Sequence, residues 1–87
     1  MCSEFLDDET KRDGNFKVVV GWSRFDNPNF DFSKTISFQH SGASLLDLAT
    51  FALMDLYRCL SLVGVPCCDV SVRVVRISNN GVKIFGN

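Results

Sequence analysis

"SLLDLATFALMDLYRCLSLVG", Ser44–Gly64, decides the fold. Successive helical residues turn by about 100°. On that wheel Leu45, Leu48, Ala49, Ala52, Leu53, Leu56, Cys59, Leu60 and Val63 share one broad apolar face. Ser44, Asp47, Thr50, Asp55, Arg58 and Ser61 form a polar stripe opposite it. Ser44 is the expected N-cap, because its hydroxyl can accept the unpaired amide of Asp47. Asp47, three residues on, completes a capping box and complements the positive end of the helix dipole. Gly64 stops the helix and Pro66 keeps it from resuming. Asp55 and Arg58 are spaced to pair along the helix surface.

Three residues do not suit that stripe. Met54 projects from its middle, and Phe51 and Leu62 from its side. One exposed apolar residue needs no explanation, but several together mark a contact surface. The helix is therefore expected to have two neighbours, its own sheet and either a covering segment or a partner.

The flanking sequence reads as strands. "FKVVVGWSRF" (16–25) alternates, with Phe16, Val18, Val20 and Trp22 on one side. Gly21 in this run marks a bulge or a close approach. "DNPN" (26–29) is a turn, and "FDFSKTISFQH" (30–40) then places Phe30, Phe32, Ile36 and Phe38 on one face, with Lys34 sharing their phase. "HSGAS" breaks the alternation before the helix. After it, "CCDVSVRVVRI" alternates through Val70, Val72 and Val74 until Val75 breaks parity, which fits a bulge or a strand apolar on both faces. Asn80-Gly81 is a strong hairpin signal, and Val82 and Ile84 continue an apolar face. The order β–β–α–β–β predicts an α+β fold in two layers: a four-stranded, mainly antiparallel sheet covered on one face by one helix. Strand order stays open.

The chain has 87 residues, enough for one small core. Residues 1–15 read as a flexible acidic arm, on which Phe5 and Leu6 could dock locally, and 16–87 as the single domain. Residues 1–14 hold five acidic and two basic side chains, while 15–87 hold five acidic and seven basic ones. That faintly basic body is too weakly charged for a dedicated duplex-binding protein. Asp55 and Arg58 interrupt the longest apolar run, so no membrane association is expected. The four cysteines (Cys2, Cys59, Cys67 and Cys68) form no spaced disulfide framework, and the N-terminus shows no secretory pattern. The chain reads as cytoplasmic, with reduced thiols.

No catalytic constellation is evident. His40 is the only histidine, and the cysteines lack the spacing of a structural zinc site, so neither metal nor cofactor is expected. The main expectation is a non-enzymatic interaction module that forms a homodimer or docks on a heterologous protein partner through Phe51, Met54, Asp55, Arg58 and Leu62. Small viral inhibitors, antitoxins and regulatory subunits fit that description. Two alternatives have named residues. His40, Ser41, Gly42 and Ser44, at a helix N-terminus, form a candidate anion-binding site. Lys17, Phe25, Arg73, Lys83 and Phe85 are candidates for binding single-stranded nucleic acid on the outer sheet face.

Overall fold

Alternation on both sides of one amphipathic helix yields two hairpins joined by that helix. The computed structural model describes residues 9–86, without the side chains of 27–30 and 67. Cys2, Phe5, Leu6 and the side chains of Phe30 and Cys67 thus lie outside the described residues. Strands β1 (Arg12–Arg24) and β2 (Asn27–Ala43) precede helix α1 (Leu45–Leu62). A short 3-10 turn, Cys67–Asp69, leads to β3 (Val70–Asn79) and β4 (Val82–Gly86). All pairings are antiparallel, and the strand order is β2-β1-β3-β4. One helix packs on one face of this sheet.

The order follows from burial. β1 carries the most complete apolar face, and in a central position it buries Phe16, Val18 and Val20 against strands on both sides. Leu48, Ala52, Leu56 and Leu60 close over them from the helix, joined by Val70 and Ile77 of β3. Hiding each large side chain contributes roughly 1.5–3 kcal/mol. The expected bulge lies at Val75: Val19 pairs with Arg76 and Val20 with Val74, so one residue of β3 is left over. The extra residue restores Ile77 to the helix side, where it is fully buried.

β1 begins at Arg12, so the last four residues of the 1–15 segment belong to the sheet. Residues 13–15, "DGN", continue the strand because Asn79 and Asn80 hold them. The Asn80 amide donates to the Asn15 carbonyl at 2.7 Å, and the Asn15 amide donates to Asn80 Oδ1 at 2.9 Å. Asn79 Nδ2 donates to the Asp13 carbonyl. Gly14, at φ +122°, lies under the Asn80 side chain, where an added Cβ would stand 2.5 Å from Oδ1. Likewise β2 runs on through "HSGA", pairing Arg12 with Ala43 and Gly14 with His40. Gly21 marks a close approach: the Arg73 guanidinium lies over it, and its Cζ would be 3.0 Å from an added Cβ.

Both helix caps form as expected. Ser44 Oγ accepts the Asp47 amide while Asp47 accepts the Ser44 amide. At the other end Gly64 (φ +81°) donates to Ser61 and Val65 donates to Leu60, the paired bonds of a Schellman cap. Val63, expected on the covering face, is instead the C-cap residue and 74% exposed.

Candidate functional site

The helix crosses the sheet without covering the whole of β2, which forms one free edge. Along that edge Ile36 and Phe38 are only half-buried, and His40 follows in the same phase. Phe51 closes the gap from the helix. Its ring meets Phe38 edge-on with centroids 6.1 Å apart, and His40 at 5.2 Å. Phe51 nevertheless remains 41% exposed, and Met54, one turn on, 65%. Phe51, Met54, Asp55 and Arg58 line a shallow depression of about 410 Å³. A second of about 420 Å³ runs from Phe51 and Asp55 onto residues 36–40 of β2.

Charges fix the rim of this surface. Arg58 donates to Asp55 at 2.8 Å, and Lys34 reaches the same carboxylate at 3.5 Å from the inner face of β2. Lys34 Nζ also donates to Cys59 Sγ at 3.3 Å. Contact with Cys59, ahead of Asp55, raises the ammonium above its ordinary pKa. An inward-pointing charge on an edge strand is thereby given a partner and kept off the apolar core. Its shared phase with the apolar residues was visible in the sequence; its ion pair needed the helix register.

Of the five residues assigned to interaction, Phe51, Met54, Asp55 and Arg58 come together. Leu62 is 82% exposed but lies two turns beyond Met54, so it extends the ridge without joining the depression. Leu46 and Tyr57 add exposed apolar area on the other flank of the helix, which the sequence reading did not single out.

At the candidate anion site the donors meet the protein's own carboxylates. Asp13 Oδ1 accepts the Gly42 amide at 2.6 Å and the Ser41 hydroxyl at 3.2 Å. Ser44 spends its hydroxyl and amide on Asp47, and His40 turns its ring to Phe51. Hydrogen bonds from Ser44, backbone first, with Lys11 Nζ at 3.6 Å, lower the pKa of Asp47. These donors are thus occupied within the chain.

The outer sheet face needs one correction and one addition. Phe85 stands opposite Ile77 and packs against the core, because a second irregularity shifts the register of β4. Phe25 is exposed in the β1–β2 turn, and Lys17, Arg73 and Lys83 are exposed as expected. Arg76 joins them, since the bulge at Val75 places it beside Val19 and Thr35. The parity break at Val75 was the available signal for it.

Among the described residues, Cys59 and Cys68 carry free thiols, and no group of three or more potential metal ligands comes together. No described helix is long and apolar enough to cross a membrane. No protein family, curated protein or solved structure matches the chain.

Proposed function

We propose that the chain is an interaction module that self-associates through the β2-side flank of α1 and works as a regulatory subunit or inhibitor by occupying a partner's surface. One observation carries the reading: Phe51 and Met54 stay exposed beside half-buried Phe38 on a well-capped, otherwise ordinary helix. A second copy is the occupant that the charges favour. A two-fold contact brings a patch against itself, so it must be self-complementary. Here an apolar centre is flanked by both signs, Asp55 and Arg58, and the Arg58 side chain is mostly exposed. Paired across a two-fold axis, each Arg58 can reach the other copy's Asp55.

The test is particle mass across a dilution series. The wild-type chain is expected to be dimeric at high concentration and to dissociate on dilution. Phe51→Asp and Met54→Lys are expected to be monomeric throughout, with unchanged circular dichroism. A wild-type chain monomeric at every concentration removes the second copy as occupant and leaves a heterologous protein. Unfolding of both variants would show that these positions are core, and would end the reading.

A further inference from the structure

The sheet face turned away from the helix carries a separate pattern of charge. Three consecutive rungs cross it: Ser37–Lys17–Ser78–Lys83, then Thr35–Val19–Arg76, then Ser33–Gly21–Arg73. Each rung holds at least one cation, and all four cations are exposed. The next rung, Asp31–Ser23–Ser71, supplies a carboxylate, which Arg73 meets at 2.9 Å. Among the described residues no carboxylate lies within ion-pair distance of Lys17, Arg76 or Lys83. A chain of net charge −1 thus gathers four cations on three adjacent rungs of one face.

From this placement we propose that the solvent face of the sheet binds single-stranded nucleic acid, with Lys17, Arg76 and Lys83 on phosphates and Arg73 at the margin. Same-face residues of a strand stand about 7 Å apart, so the three rungs span roughly 14 Å, the reach of a short run of nucleotides. Ser78 lies between Lys17 and Lys83, and Ser33, Thr35 and Ser37 flank the cations along β2; their hydroxyls can donate to phosphate or sugar oxygens. A folded protein partner would want a broad aromatic or aliphatic centre, whereas on these three rungs the one large apolar side chain is half-buried Val19. Guanidinium planes serve instead as stacking surfaces for unpaired bases. Four cations are few for a duplex. This face lies on the opposite side of the sheet from α1, so its reading and the self-association reading fail independently.

The experiment is fluorescence anisotropy of a labelled oligothymidylate of about 12 nucleotides, within the usual site size of such proteins. Micromolar affinity is expected at about 50 mM salt, with log affinity falling against log salt by a slope of roughly 2–3, since each neutralised phosphate contributes about 0.7. Arg76→Glu and Lys17→Glu should each weaken binding at least fivefold and flatten the slope, while Lys11→Glu beside the helix N-terminus should leave both unchanged. Circular dichroism checks that the variants fold. The proposal is overturned by a flat titration at low salt or by variants that bind like wild type. Tighter binding to a duplex of the same length, or to vesicles of anionic lipid, also overturns it.

Discussion

The two sides of α1 are made of similar residues under opposite conditions. Toward the sheet, Leu48, Ala52 and Leu56 are sealed from water by β1 and β3. Away from it, Phe51, Met54 and Leu62 meet solvent, although they belong to the same residue class. What separates them is where the sheet stops, not what the side chains are. The inward side is committed to the fold, whereas the outward side stays available for a second surface.

Paired substitutions break or sharpen that contrast. Leu48→Ala is expected to cost about 2–5 kcal/mol, because removed contacts leave a cavity under a helix that cannot collapse onto it. Denaturant unfolding measures it, and a loss below about 1 kcal/mol would mean that the helix is less firmly seated than its burial indicates. Ser44→Ala should cost about 1 kcal/mol by freeing the Asp47 amide, a change in the cap that leaves both sides of the helix in place. Met54→Lys, on the outward side, should alter unfolding of the monomer by no more than about 0.5 kcal/mol. A large loss there would place Met54 in the core and erase the distinction.

The smallest effect is electrostatic. The folded carboxyl of Asp47 titrates below its ordinary range, held by hydrogen bonds from Ser44 and then by Lys11. A folded value below the unfolded one stabilises the protein fully above about pH 4, and that contribution disappears as pH falls through the depressed value. Asp47→Asn should therefore flatten this acid limb of the stability curve while leaving the limb above pH 7 unchanged. Solvent exposure keeps the effect small.

Much of the fold was legible because it rests on short-range periodicity. Phe16, Val18 and Val20 alternate, Ser44 and Asp47 form a local box, and Asn80-Gly81 turns with both residues at positive φ. The start of β1 was not legible, since its partners Asn79 and Asn80 lie 65 residues and more along the chain. The outward helix residues could be read from the wheel, as could Lys17, Arg73 and Lys83 from strand parity. Phe85 was misplaced and Arg76 was passed over for one reason: a single residue added to a ladder reverses every assignment beyond it. The partner that takes the Ser41 and Gly42 donors is Asp13, a residue of the acidic segment whose entry into the sheet no local pattern announces.

The position of β1 also governs the order in which the molecule can assemble. One neighbour, β2, follows it within a two-residue turn, but the other arrives only after the helix has been made. Until then the earlier hairpin has a bare margin and half a core, and two strands alone are marginal in water. Closure across so long an intervening segment slows folding. A ribosome must therefore release most of this chain before its central strand can be sandwiched, and the exposed hairpin in the interval is the stage at which such a chain is most prone to stick to its neighbours.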